Sequence, residues 1–216
     1  MRPDENQAPT AADQSANFAN LDMASMLDWI TENAQKQRAF QAIEKGDYDE
    51  ARRLLEPVAA LGSIYSLLTL GAFYEWGKLG PADMNAAVSY YERAASEGSA
   101  EAHQRLGRVF YDAGDEKRAR SAFKHGAEAG NISCMYWLGK MKVKGRGGGA
   151  DVDRGTEWLT AAAGQGHIFA KRDLLILQRK QTSSIFKKLL IQVQIIVLVK
   201  ELVKEVWKDE CSDKVQ

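Results

Sequence analysis

The residues most often used for catalysis and metal binding are few in this chain, and their spacing does not assemble a site. His103 and His167 stand at predicted helix starts and His125 on a second-helix surface, with no carboxylate or cysteine at ligand spacing. Cys134 and Cys211 form no CxxC motif. Metal binding and nucleophilic catalysis need such groups close together. The sequence therefore predicts no enzyme activity, no metal site and no cofactor.

The glycine-rich run Gly145-Arg146-Gly147-Gly148-Gly149 is the stretch most similar to a phosphate cradle. A phosphate-binding loop of the P-loop type follows a strand and ends in Gly-Lys-Ser or Gly-Lys-Thr. The run lacks both the preceding strand pattern and that ending. We interpret it as a loop between two helices.

The composition is that of a globular protein with a sizeable core. Of 216 residues, 45% are hydrophobic, and 29 basic residues balance 29 acidic ones. Proteins that hold a phosphate backbone carry an excess of Lys and Arg, so nucleic acid is not a predicted partner. The first twenty residues contain no apolar run behind a positive start, and a cytoplasmic location is expected.

An internal repeat sets the architecture that must position any functional residue. Small residues followed by a glycine recur at Gly62, Gly98, Gly130 and Gly166, which are 36, 32 and 36 residues apart. A recurrence of this length indicates stacked supersecondary units. It outranks every shorter motif in the chain.

Each unit also contains markers of two helices. The pairs Leu70-Gly71, Leu106-Gly107 and Leu138-Gly139 lie in the first half of a unit, each with a small residue four positions earlier. Small residues one helical turn apart allow a neighbouring helix to approach closely. Apolar residues at one-face spacing follow in the second half, among them Tyr90, Phe123 and Trp158, which we interpret as packing residues. Each unit is thus predicted to be helix, loop, helix.

These markers carry a family resemblance. The run Leu70-Gly71-x-x-Tyr74-x-x-Gly77, continued by Asp83, Ala87, Tyr90-Tyr91, Ala94-Ala95 and Gly98, resembles the Sel1-like repeat, and the run from Leu138-Gly139 to Gly166 repeats it. The units at about 31–62 and 99–130 have shorter loops and resemble tetratricopeptide repeats. The resemblance covers about residues 31–180. It implies an all-α fold, a right-handed α/α superhelical solenoid of stacked antiparallel helix pairs, and a role in protein-protein interaction.

The remaining segments flank this repeat domain. The predicted organisation is a disordered segment 1–20, a capping helix 21–30, the repeat domain 31–180 with units at about 31–62, 63–98, 99–130, 131–166 and a partial unit 167–180, an apolar and amphipathic helix 185–208, and a polar tail 209–216.

The helix at 185–208 leaves two alternatives open. Its apolar centre, Leu189–Val199, is shorter than the stretch of about twenty residues that spans a bilayer. It either caps the last repeat by packing on Leu174, Leu175 and Leu177, or docks Ile185–Val199 on a membrane surface. An exposed apolar face would favour docking.

The resemblance also indicates where a partner binds, because first helices line the concave face of such solenoids. The candidate partner-binding residues are Tyr65, Trp76, Arg108, Tyr111, Tyr136, Lys140, Lys144, Arg172 and Arg179. Aromatic and Arg side chains favour protein recognition, and a run of cations favours an acidic or carboxylate-bearing peptide. The predicted function is a non-enzymatic adaptor or scaffold. The alternative is a peripheral membrane protein that docks through its C-terminal helix and recruits a partner through the repeats.

Overall fold

The computed structural model of the protein describes the backbone of residues 23–212 and the side chains of residues 31–201, 203 and 204. The predicted disordered segment 1–20 lies outside the described residues. Within the described range the regular elements are ten α-helices, without a strand. They are α1 Met23–Glu44, α2 Tyr48–Ala60, α3 Ile64–Glu75, α4 Met84–Ser96, α5 Ala100–Asp112, α6 Glu116–Glu128, α7 Ile132–Lys144, α8 Val152–Gly164, α9 Ile168–Gln181 and α10 Ile185–Ser212.

Side-chain caps fix most of the helix starts. A cap accepts a hydrogen bond from a backbone N–H that has no partner inside the helix. The caps that do so are Asp47, Ser99, Asp115, Asn131, Asp151 and His167, which begin α2, α5, α6, α7, α8 and α9. Gly145 ends α7 in the left-handed conformation, with φ 69°, where a side chain would be strained. The chain therefore turns at the positions that its polar and glycine residues mark.

The chain divides into two compact units, whose boundary lies within α4 between Tyr90 and Tyr91. In the first unit, α1 packs on α2 and α2 on α3, around a core that includes Leu55, Leu67 and Leu70. α1 runs without interruption through the predicted boundary at residue 30, because no glycine or proline lies between Met23 and Glu44. The predicted capping helix and the first repeat helix are thus one helix.

In the second unit each helix from α5 to α10 packs on the next. Its fully buried side chains include Tyr91, Phe123, Leu138, Met141 and Leu159. The predicted fold class is confirmed: consecutive helices pair, and they turn near Gly46, Gly77–Pro81, Gly114 and Gly145–Gly149.

The glycines of two Leu-Gly pairs lie at close contacts between helices. A Cβ built on Gly139 of α7 would lie 2.8 Å from the carbonyl oxygen of Gly155 in α8, and one built on Gly107 of α5 would lie 2.4 Å from the ring of Phe123 in α6. Both distances are shorter than real Cβ contacts. The predicted close contact is therefore present in both helix pairs.

α10 extends beyond its predicted end at residue 208 and reaches Ser212. It packs on α9, yet many of its apolar side chains are exposed. No helix in the described part of the chain combines the length and the apolar character needed to cross a bilayer.

Candidate partner-binding site

The described histidine and cysteine side chains that could take part in catalysis or metal binding pack between helices or are buried. The rings of His103 and His125 are 5.4 Å apart between α5 and α6, and burial, with the charge of His125, lowers the pKa of His103. Burial raises the pKa of the Cys134 thiol to about 12, which keeps it protonated and unreactive. Among the side chains that the structure describes, no three from His, Cys, Asp or Glu are grouped so that they could hold a metal ion.

The glycine-rich loop at 145–149 is attached to α6. The Glu116 carboxylate accepts hydrogen bonds from Arg146 Nε at 2.8 Å and from the Gly147 backbone N–H at 3.2 Å. Arg120 donates to the carbonyl oxygen of Gly149 at 3.2 Å. Because Glu116 already engages the Gly147 N–H, this loop does not present the free amides of a phosphate cradle. It is the interhelical loop that the sequence predicts.

Arg146 also connects this loop to a predicted site residue on the first-helix side. Its Nη1 donates to the hydroxyl of Tyr111, and its guanidinium lies 4.8 Å from the Tyr111 ring centroid. Tyr111 in turn contacts the Trp137 ring, with centroids 5.1 Å apart. The loop therefore holds one wall of the surface described next.

A cleft of about 400 Å³ lies between α5 and α7 and contains two of the predicted residues. Arg108 and Tyr111 line it from α5, and Trp137 lines it from α7. The Trp137 ring is stacked on the buried ring of Phe123, with centroids 5.7 Å apart, so its position is fixed by the core. Rigid aromatic walls of this kind provide contact area at little cost in side-chain entropy.

A chain of contacts continues from this cleft to α9. Lys140 Nζ lies 4.8 Å from the Trp137 ring centroid and donates to the Tyr136 hydroxyl at 3.2 Å. That hydroxyl donates to Asp173 Oδ2 at 3.3 Å. Arg172 binds the other oxygen of Asp173, with Nη2 at 2.7 Å and Nε at 3.0 Å. The structure thus brings five of the predicted residues, on α5, α7 and α9, into one connected surface.

We call this surface the α5–α7–α9 strip. Its members are Arg108, Tyr111, Tyr136, Trp137, Lys140, Arg172 and Asp173.

Tyr136 occupies a different environment from the exposed one predicted for a partner contact. Its ring is 6% exposed, because His167 stacks on it at 4.5 Å and Phe169 lies at 6.4 Å. Burial, followed by the charge of Asp173, raises the pKa of Tyr136 to about 12, so its hydroxyl stays protonated and can donate. Within the strip, Tyr136 positions Lys140 and Asp173 from beneath the surface.

The three predicted cations of the strip differ in their charge compensation. Arg172 is ion-paired with Asp173, so its charge is offset. Arg108 and Lys140 have no carboxylate at ion-pair distance among the residues that the structure describes. The positive charges that a carboxylate-bearing partner could pair with are therefore those of Arg108 and Lys140.

The other predicted residues are exposed. Lys144 and Arg179 lie in the last turns of α7 and α9. Tyr65 lies in the first unit, beside Phe40 in a cleft that also contains Lys36 and Glu44, and Trp76 follows α3 as its C-cap. These residues stay predictions outside the site that the contacts define.

Sequence reasoning missed Trp137 and Asp173. Trp137 immediately precedes Leu138-Gly139, whereas the equivalent positions of the preceding units hold Thr69 and Arg105. A tryptophan at a position that is polar elsewhere in the repeat was the available signal. Asp173 gave no such signal, since its role depends on contacts between α7 and α9.

Comparison with known proteins identifies the repeat. The model of the Sel1 repeat matches residues 40–63, 65–99 and 132–167. The first match covers residues 40–63 of the unit at 31–62, which the sequence analysis compares with tetratricopeptide repeats, and assigns them to the Sel1 repeat. The predicted tetratricopeptide-like unit at 99–130 lies outside the matched segments.

Two solved structures and one curated protein are similar to the chain. A Sel1 repeat protein from Oxalobacter formigenes has 27% identity and a TM-score of 0.57, covering 67% of this chain and 61% of that one. A protective antigen present in uropathogenic Escherichia coli strains, with an SLR fold, has 19% identity and a TM-score of 0.62, covering 86% and 48%. Chitin synthase regulatory factor 4 of Schizosaccharomyces pombe is 29% identical over 61% of this chain; the match spans 22% of that protein's length.

Proposed function

We propose that the chain is a non-enzymatic adaptor that binds a protein partner through the α5–α7–α9 strip, because residues 40–63, 65–99 and 132–167 match the model of the Sel1 repeat. Sel1 repeats are generally protein-interaction modules. The similarity to a regulatory factor supports a regulatory role exerted through binding. A cytoplasmic location stays a prediction from the sequence.

The observation that supports this proposal is the pairing of fixed aromatic walls with uncompensated cations. Tyr111 and Trp137 are held by Arg146 and Phe123, and Arg108 and Lys140 beside them have no acidic partner at ion-pair distance among the described residues. Buried aromatic anchors surrounded by charged groups are typical of binding hot spots. The preferred ligand is therefore an acidic peptide segment with at least one apolar or aromatic side chain.

The expected strength of the charged contacts depends on how far the partner excludes water. A charge-assisted hydrogen bond contributes about 1.5–3 kcal/mol where it is desolvated, and an exposed ion pair about 0–1 kcal/mol. Reversing both cations also introduces repulsion. We therefore expect the double reversal to weaken binding of an acidic peptide at least about tenfold, an effect that salt should reduce.

A direct test uses fluorescent peptides rich in Asp and Glu, with and without an aromatic residue, and measures their anisotropy with the intact chain. The test variant is Arg108→Glu with Lys140→Glu. The matched control is Lys117→Glu with Lys124→Glu, which reverses two exposed lysines of α6 in the same unit. Both variants change the net charge by the same amount, so a non-specific electrostatic effect would weaken peptide binding equally in the two variants.

The proposal predicts that only the Arg108 and Lys140 reversal reduces binding, with unchanged helicity and Tm. It also predicts tighter binding of the aromatic-containing peptides. The proposal would be wrong if the folded test variant bound the peptides as well as the control variant at low salt.

A further inference from the structure

The C-terminal helix α10 has two sides in different surroundings. On its inner side, Val197 and Leu198 face Leu174 and Leu175 of α9 across a cleft of about 470 Å³. The half-buried side chains of Ile195 and Leu198 agree with this packing. α9 thus holds one side of α10 and leaves the other side uncovered by the described residues.

An apolar stripe follows the opposite side of α10. Its positions are separated by four, seven, three and four residues, which places them on one helical face. The outer stripe consists of Ile185, Leu189, Ile196, Val199 and Val203, whose exposed fractions are 82%, 65%, 46%, 43% and 49%. None of these residues lines the cleft with α9. The half-buried Gln192 lies on the same face between Leu189 and Ile196 and divides the stripe into two apolar parts. Exposed apolar surface of this kind marks a site of contact with another molecule or with lipid.

The charges on α10 indicate what contacts the outer stripe. Lys187 and Lys188 lie near its start, and Lys200 and Lys204 lie near Val203, whereas Glu201 is the one acidic residue between Ile185 and Lys204. This segment therefore carries a net positive charge at both ends of the stripe. Basic residues beside an apolar helix face attract anionic lipid headgroups, each by about 1 kcal/mol.

We propose that α10 is at once the packed last helix of the repeat stack and a membrane-docking helix. Its outer stripe enters the interfacial layer of an anionic lipid surface while its inner side stays on α9. Packing and docking, which the sequence presents as alternatives, are then two sides of one helix. This inference is independent of the partner proposed for the α5–α7–α9 strip.

The same charges argue against a second copy of the chain as the occupant. Antiparallel pairing through the stripe would bring Lys187 and Lys188 of one copy near Lys200 and Lys204 of the other. Parallel pairing would place each lysine beside its own equivalent. Both arrangements juxtapose like charges around an apolar contact, whereas anionic headgroups neutralise them.

The test is flotation of the intact chain with vesicles of phosphatidylcholine alone and of phosphatidylcholine mixed with phosphatidylserine. The stripe variant carries Leu189→Ser, Ile196→Ser and Val203→Ser. The charge variant carries Lys187→Gln, Lys188→Gln and Lys200→Gln. The control carries Leu61→Ser, Met84→Ser and Val152→Ser, which remove three exposed apolar side chains outside α10.

We expect the parent and the control to bind phosphatidylserine vesicles and to bind neutral vesicles weakly. The stripe variant should lose binding without a fall in Tm, because its three side chains are exposed. Each lysine removed should weaken binding to anionic vesicles about fivefold, so the charge variant should lose about a hundredfold. Amide protection of α9 should be equal with and without vesicles.

Several results would overturn the proposal. They are failure of the parent to bind phosphatidylserine vesicles, equal binding to both vesicle types, unchanged binding of the folded stripe variant, and loss of α9 protection on binding. A concentration-dependent dimer that the stripe variant converts to a monomer, without lipid binding, would instead assign the stripe to a second copy. If the triple variant fails to fold, Ile185→Ser repeats the test at the most exposed position of the stripe.

Discussion

The close approach of α7 and α8 gives a quantitative prediction for Gly139→Ala. Gly139 lies inside α7, and its missing Cβ faces Gly155 and Leu159 of α8. A methyl group there would lie 2.8 Å from the carbonyl oxygen of Gly155, 2.9 Å from Leu159 Cγ and 3.0 Å from the Leu159 backbone nitrogen. Two of these three atoms belong to the backbone, so rotation of a side chain cannot relieve the overlap.

Two opposing terms set the size of the effect. Ordinary Cβ contacts begin at about 3.4 Å, so α8 must move by roughly 0.6 Å. Overpacking a close contact costs about 1–3 kcal/mol, whereas replacing glycine by alanine inside a helix gains about 1 kcal/mol. Because the obstructing atoms are backbone, we expect a net loss of about 1–2 kcal/mol in the free energy of unfolding, or roughly 2–8 °C in Tm.

The matched control is Gly164→Ala. Gly164 ends α8, and a Cβ there meets no atom within 4 Å. This change should leave stability unchanged or raise it by up to about 1 kcal/mol. Urea unfolding of both variants, followed by circular dichroism, measures the difference. If Gly139→Ala proved as stable as Gly164→Ala, the two helices would not be in the close contact that we assign to them.

Two further predictions concern pH and the interhelical loop. Burial lowers the pKa of His167, whose ring nitrogen accepts a hydrogen bond from the Ala170 N–H. The free energy of unfolding should therefore fall as the pH drops below the unfolded pKa of 6.5. His167→Asn keeps a capping side chain that does not titrate, so urea unfolding of this variant should show a free energy of unfolding that depends less on pH. Glu116→Ala should detach the loop at 145–149 from α6 and speed tryptic cleavage after Arg146. Glu128→Ala, which removes a carboxylate paired with Lys124 instead, should leave the cleavage rate unchanged. Equal cleavage rates in the two variants would show that Glu116 does not anchor the loop.

The fold follows from features that are local in the sequence. The recurring glycines end helices, the capping side chains begin them, and pairs such as Leu138-Gly139 mark the close helix contact. Each of these features acts within one or two turns of the chain, so their spacing is sufficient to predict the helix pairs. The boundary at residue 30 was less well predicted because a capping helix and a first repeat helix join without any glycine or proline to separate them.

The candidate site was only partly predictable, because its chemistry depends on contacts between repeats. Position relative to the Leu-Gly pair identifies Arg108 and Lys140 as first-helix cations. It cannot show that Asp173 accepts a hydrogen bond from Tyr136, or that His167 covers the ring of Tyr136, since Asp173 and His167 belong to the next repeat. Register along a helix predicts which face a residue occupies, but the neighbouring repeat decides whether that face is open, covered or neutralised.

Our proposal for α10 combines capping and docking, the two alternatives that the sequence leaves open. A helix with apolar side chains on more than one side cannot bury all of them against one neighbour, because a single packed helix covers only part of its circumference. α9 contacts the side that includes Leu198, and the stripe through Leu189 and Ile196 remains outside. The exposed stripe leaves room for a second contact, and the lysines beside it favour the anionic lipid surface that we propose.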